Sequence, residues 1–247
     1  MKILFSPSEA KSTFCDSRHL NKNSFFMPEL FEHRLHVAKS FNQFLEKSDI
    51  TDLQKLFGLK DEDACYHLKK TDILHSCTCR AIDRYTGVAF EYLDFNSLLD
   101  KEKEYLLNNL VIFSNLFGPM LAKDEVPVYK FKQGSSIGDF KPEKFYKENF
   151  SSGLDKLFTD ELVIDLRAGF YEKFYTIKKS YITMKFMKNG KVVSHWAKAY
   201  RGKVLRELAQ YQPNTLEEFE KINFMGLELV KVLHTKLKKE YVFNILG

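Results

Sequence analysis

The chain is poor in the residues that cross-link or interrupt a fold. Four cysteines (Cys15, Cys65, Cys77 and Cys79) in 247 residues are too few for the disulfide framework of a secreted domain, so reduced thiols are expected. No Pro- or Gly-rich linker, low-complexity tract or repeat period breaks the sequence, which is read as one domain over 1–247. The first residues, MKILFSPSEAK, lack the apolar stretch of a signal peptide, and no later run reaches the roughly 18 residues of a membrane-spanning helix. A cytoplasmic location with no membrane partner is expected. No Walker loop, G-x-G-x-x-G, H-E-x-x-H or G-x-S-x-G appears, so no cofactor is assigned. The one cluster of metal-binding residue types, Cys65, His67, His75, Cys77 and Cys79, lacks paired C-x-x-C spacing, and no metal site is assigned to it.

What is present points to a globular α/β chain. Hydrophobic residues make up 44% and aromatics 15%, and 38 Lys and Arg against 33 Asp and Glu give +5, a mildly basic balance that permits an anionic partner. KILF (2–5) reads as a buried strand, and SPSEAKS after it as a loop carrying Glu9 and Lys11. Pro28 opens an amphipathic helix, and 50–70 reads as two short helices, Gly58 closing the first and Asp61 or Glu62 opening the second. That segment is either a plain helical hairpin or a helix-hairpin-helix element whose turn, with Gly58 and Lys60, meets a phosphate. Residues 71–84 read as further helix, followed by a turn at Gly87 that leaves Tyr85 and Thr86 exposed. LVIFS (110–114) and ELVID (161–165) read as strands, 142–159 as a helix, and the runs flanking Asn189-Gly190 as a β-hairpin. Helical patterns at 203–211, 215–222 and 226–239 precede a last strand, YVFNIL. The expected architecture is a mixed α/β sheet of about six or seven strands flanked by helices.

Polar groups recur where these strands end: Glu9 and Lys11, Tyr85 and Thr86, Ser114 and Asn115, Asp165 and Arg167. In open α/β sheets ligands gather at such ends. The densest group is SHWAKAYRGKVLREL, where a strand ending near Trp196 is expected to run into Lys198, Arg201, Lys203 and Arg206, with Gly202 giving the backbone room beside a ligand. Arg offers a planar fork of donors and Lys a mobile point charge, a combination suited to phosphate. If the ends converge they form a basic cleft, in which Glu9 or Asp165 could act as general acid or base and Lys11 or Lys198 as a nucleophile.

Taken in order, these motifs resemble the YaaA family of bacterial peroxide-stress proteins. SPSEAK (6–11) is similar to its N-terminal P-S-E-x-K loop, YTG (85–87) to Y-x-G, SNLFG (114–118) to S-x-L-Y/W-G, and VPVYKFKQG to P-x-Y-R-x-x-M-G. DLRAGFY resembles D-L-R-S-G-x-Y, and VSHWAKAYRGKVLREL the V-S-x-x-x-K-x-x-[RK]-G-x-x-x-R segment. The resemblance implies a cytoplasmic protein that binds double-stranded DNA, bent or damaged, through a basic cleft and limits oxidative DNA damage, with no protein partner indicated. By position it implies that Lys11, Tyr85, Lys130, Arg167, Lys198, Arg201 and Arg206 line the cleft, and that Gly58 and Lys60 sit in the hairpin. Lys130 stands where the family has arginine, Gln133 where it has methionine, and Lys60 where the hairpin has its second glycine. The alternative reading is an enzyme acting on a nucleotide or damaged base with the same cations and carboxylates.

Overall fold

Eleven strands and nine helices are found among the residues that the computed structural model describes, 1–16 and 18–246. The strands are β1 (Lys2–Phe5), β2 (Arg18–His19), β3 (Cys77–Arg80), β4 (Leu110–Ser114), β5 (Gly118–Leu121), β6 (Glu125–Pro127), β7 (Val163–Asp165), β8 (Tyr181–Lys188), β9 (Lys191–Val192), β10 (Leu227–His234) and β11 (Lys238–Ile245). The helices are α1 (Phe31–Lys47), α2 (Ile50–Phe57), α3 (Glu62–Lys69), α4 (Ala81–Arg84), α5 (Val88–Leu93), α6 (Asp100–Asn109), α7 (Pro142–Phe158), α8 (Ser194–Tyr211) and α9 (Leu216–Glu220). None of them is long and apolar enough to cross a membrane.

The main sheet runs β10-β11-β8-β7-β1-β4-β5, with β9 paired to β8, and a small sheet runs β2-β3-β6. It is the mixed α/β arrangement read from the sequence. β1 is parallel to β4 on one side and β7 on the other, β7 is parallel to β8, and β8 to β11. β4 is buried along its whole length and Ile3, Leu4 and Phe5 of β1 are 0–2% exposed. Strands covered on both faces must be apolar at every position, which is why LVIFS shows no alternation. β8 keeps a partly open face and alternates accordingly. The chain moves from β1 to β4 on one side and then returns to place β7 and β8 on the other. The strand order therefore reverses beside β1, and at such a point the loops leaving the strands separate and leave a crevice.

Local signals explain several boundaries. Asp49 and Asp61 cap α2 and α3 by accepting the amide protons of Asp52 and Ala64. Gly58 ends α2 with φ +69, a left-handed conformation that suits glycine. Asn189 (φ 51) and Gly190 (φ 74) form the tight hairpin turn between β8 and β9. Along α7, Tyr146, Phe150, Leu154 and Phe158 make a buried stripe at a four-residue interval.

The structure corrects five expectations. Residues 77–80 are strand, not helix, because β3 pairs with β6. Residues 227–234 and 238–245 form a hairpin in place of the helix read over 226–239. Trp196 lies inside α8, which begins at Ser194, and is not the end of a strand. Tyr85 is 2% exposed and not at an open turn. Cys15 and Cys77 are joined in a disulfide with Cα atoms 5.8 Å apart, while Cys65 and Cys79 remain free and buried. Burial pushes the Cys79 thiol up to about 11. The HSCTC residues thus serve separately, His75 meeting Asp72 at 2.7 Å, and no metal-binding group of three or more His, Cys, Asp or Glu occurs among the described residues.

Candidate anion-binding site at the strand ends

The loop that leaves β1 is folded against the turn before α5. Lys11 and Tyr85 form a β-bridge, and the amides of Ser12 and Thr86 donate to the carbonyls of Arg84 and Ala10. Gly87, at φ +98, makes this possible, because a Cβ there would lie 2.7 Å from the Ser8 hydroxyl. The bridge places Lys11 Nζ 4.4 Å from the ring centre of Tyr129 and 5.3 Å from that of Tyr85. Nζ donates to the carbonyls of Ser8 (3.1 Å) and Glu9 (3.3 Å). The Tyr85 and Tyr129 hydroxyls are 2.7 Å apart, and that of Tyr129 is 2.6 Å from Ser114 Oγ at the end of β4. Ser114 Oγ also accepts the amide protons of Leu116 and Phe117. A chain of hydroxyls therefore links the β1 loop to the β4 turn.

No carboxylate lies within ion-pairing distance of Lys11 among the described residues. The nearby Glu9 faces Lys130, 3.6 Å away, and accepts the Gln133 amide proton. Burial, with smaller contributions from the neighbouring Lys130 and Arg84 charges, pulls the Lys11 ammonium down to about 7. Burial also holds the Tyr129 phenol up at about 12, and Tyr85 well above its usual value. Both tyrosines are neutral neighbours.

The end of β7 is built in the opposite way. Arg167 donates through Nε and Nη2 to the two oxygens of Asp165, at 2.8 and 2.9 Å, and through Nη1 to the carbonyls of Tyr171 and Tyr175. Its guanidinium lies 4.6 Å from the Phe113 ring centre. Asp165 is likewise buried and occupied, so neither side chain is open to a ligand or a proton transfer as it stands. The neighbouring Ala168 amide donates to Ser6 Oγ, tying this end to the β1 loop.

The four cations of α8 have different surroundings. Arg206 donates to the carbonyls of Leu93 and Asp94 and so closes the end of α5. Lys203 lies over the rings of Tyr200 (4.6 Å) and Tyr92 (5.3 Å). Lys198 is exposed. Arg201 is half-buried and makes no hydrogen bond or ion pair among the described residues; burial lowers its guanidinium pKa, and the charges of Asp165 and Glu172 partly offset that. Gly202 serves packing: a Cβ there would sit 2.1 Å from the Ala89 carbonyl oxygen, so its absence lets α8 lie directly on α5, and no ligand approach is involved. The side chains of Ser194 and His195, which begin this motif, lie outside the described residues.

Lys11 thus contacts Tyr85 and the Glu9 carbonyl, Glu9 pairs with Lys130, and Asp165, Arg167 and Arg201 lie at the adjacent strand end. Gly58 and Lys60 are apart, on the exposed turn between α2 and α3. A link exists through 130–134: the Lys132 amide donates to Leu56 O, and its side chain covers Gly58 so closely that a Cβ there would be 2.5 Å from Lys132 Cδ. Tyr129 stands at the tyrosine of the VPVYKFKQG motif but was not among the expected site residues. A cavity of about 600 Å³ opens beside the Lys11–Tyr85 bridge, lined by Ser12, Phe14, Arg80, Tyr85, Thr86 and others; neither Lys11 nor Arg201 lines it.

Residues 1–232 match the family described as "Peroxide stress protein YaaA". The chain belongs to the YaaA family. It is 48% identical to an uncharacterized protein of Campylobacter jejuni over the full length of both. A UPF0246 protein of Fusobacterium nucleatum is 29% identical, covering 99% of this chain and 98% of its own, and one of Streptomyces coelicolor is 27% identical over 84% of this chain and 82% of its own. Membership of the YaaA family supports a role in the response to peroxide stress.

Proposed function

We propose that this protein limits oxidative DNA damage in the peroxide stress response by binding double-stranded DNA, bent or damaged, through its phosphates. Arg201 is the observation that supports this most. A half-buried guanidinium with no hydrogen-bond or ion-pair partner among the described residues has five donors to satisfy, and a phosphate beside it would supply the acceptors and the compensating charge. Lys198, three residues earlier on α8, is a neighbour on the same helix face, and Lys130 and Lys11 stand at the adjoining strand end. The Gly58–Lys60 turn is a second docking element in this reading. No helix carries an evident set of base-reading side chains, so contact is with backbone phosphates and sequence selectivity is low.

The test is fluorescence anisotropy of a labelled duplex across a salt series. Binding through four phosphates gives a log–log slope of about −3.6. An affinity that does not change with salt contradicts the reading.

Lys11 favours a second reading, an enzyme acting on a nucleotide or damaged base. An amine that loses its proton near neutrality, held in place by the Ser8 and Glu9 carbonyls, has the makings of a nucleophile.

A further inference from the structure

Of the lysines at the strand ends, Lys130 has a carboxylate partner and Lys198 stands in solvent, whereas Lys11 is part-buried and makes no ion pair among the described residues. The charges that face it are those of Lys130 and Arg84, which repel a proton, and Glu9, which attracts one but is shared with Lys130 and the Gln133 amide. Its walls are two uncharged phenols, and the carbonyls of Ser8 and Glu9 hold Nζ in place. An amine so fixed keeps a free electron pair once the proton leaves, and it adjoins the half-exposed Glu9 at the mouth of the loop. These are the conditions for adding to a carbonyl carbon: an amine that gives up its proton near neutrality and a fixed position, with protons exchanged through solvent.

We propose that Lys11 condenses with aldehydes, and that its substrate class is the ring-opened sugar aldehyde of an abasic site in duplex DNA. The inference rests on the DNA reading above. The Nζ electron pair forms a bond to the aldehyde carbon as the carbonyl π pair moves to oxygen. That oxygen leaves as water, taking one proton from the nitrogen and one from solvent. The nitrogen, which began with two hydrogens, ends with one and a double bond to carbon, so amine, aldehyde and one proton give a protonated imine and water. No oxidant, reductant or metal enters. Lys130 and Arg201 hold the flanking phosphates, which brings the aldehyde to this amine in preference to other exposed lysines.

Borohydride reduces such an imine to a stable secondary amine, so the adduct can be isolated. Labelled duplex with one abasic site is incubated with the full-length protein and borohydride, and the adduct is mapped by mass spectrometry of proteolytic peptides. Intact duplex of the same sequence is followed in parallel by anisotropy. The expected result is an adduct on Lys11 whose yield rises with pH through about 7, and falls at least ten-fold in Lys11→Arg, with circular dichroism confirming that the variant is folded. Intact duplex bound without any Lys11 adduct overturns the proposal and leaves the DNA reading standing. An adduct confined to other lysines overturns it as well, whether or not Lys11→Arg folds. An adduct on Lys11 with no measurable binding of intact duplex upholds the nucleophile while the general DNA reading falls. If intact duplex is not bound and no adduct forms, both fail.

Discussion

Arg167 and Arg201 bracket the same strand end, yet they are different kinds of residue. Arg167 has a bidentate carboxylate, two backbone carbonyls and an aromatic face, and nothing about it invites a ligand. Arg201 has the field of the same Asp165 but no hydrogen bond to it. Both would count equally in a tally of basic residues. The difference teaches that availability, not charge, marks a binding residue: a cation whose donors are all occupied is part of the scaffold, and one left open is a candidate for the ligand. The same contrast recurs along α8 between Arg206, which closes α5, and Arg201 five residues earlier.

The largest effect that can break this comparison is on Arg167. Arg167→Ala leaves Asp165 buried and unpaired, which should cost about 3–5 kcal/mol of stability in chemical denaturation. A loss below about 1 kcal/mol would mean that the pair is open and Arg167 belongs with the ligand cations. Gly202→Ala comes next. It sets a methyl group against the Ala89 carbonyl, so α8 must shift off α5, at a cost of about 1–3 kcal/mol. If its thermal stability matches wild type while DNA affinity falls, Gly202 faces a ligand after all.

The Lys11 prediction sharpens the contrast through pH. Its folded-state pKa of about 7 lies below that of the unfolded chain, so between about 7 and 10.5 the unfolded state binds the proton more tightly. Stability should therefore rise with pH across that window, by at most about 1.4 kcal/mol per pH unit, and the rise should vanish in Lys11→Met. Denaturant titrations of both proteins from pH 6 to pH 9 check it. Parallel pH profiles would show that Lys11 keeps its proton and is an ordinary ammonium.

Much of the frame was legible because its signals are local. The β1 loop, the Gly58 turn, the Asn189-Gly190 hairpin and the buried stripe of α7 depend on residue types that act on their own neighbours. The pattern LELVKVLH fits a helix as well as a strand, and pairing of β11 with both β8 and β10 decided it. The strand at 77–80 was hidden in the same way, since β6, its partner, lies more than forty residues on. At the site, the motifs named Lys11, Lys130, Arg167, Arg201 and Arg206 alike and could not tell a cation whose donors are occupied from one left open. The partners that occupy Arg167 and Arg206 are largely backbone carbonyls, of Tyr171, Tyr175, Leu93 and Asp94, and every residue carries a carbonyl. Nothing in a sequence marks which one an arginine will reach.

The smallest change to the fold should then have the clearest effect on binding. Arg201→Ala removes no hydrogen bond or ion pair among the described residues, so its stability should stay within about 0.5 kcal/mol of wild type. Its affinity for a labelled duplex should fall roughly ten- to a hundred-fold, and the salt slope should drop by about one, because one charged phosphate contact is lost. Arg201→Lys should recover little if the contact is a two-pronged guanidinium one. Anisotropy of wild type and folded Arg201→Ala over the same salt series measures this directly. A reduced slope with weakened binding is the predicted result; wild-type affinity and slope in the alanine variant would contradict the claim that the open cation is the one that holds the ligand.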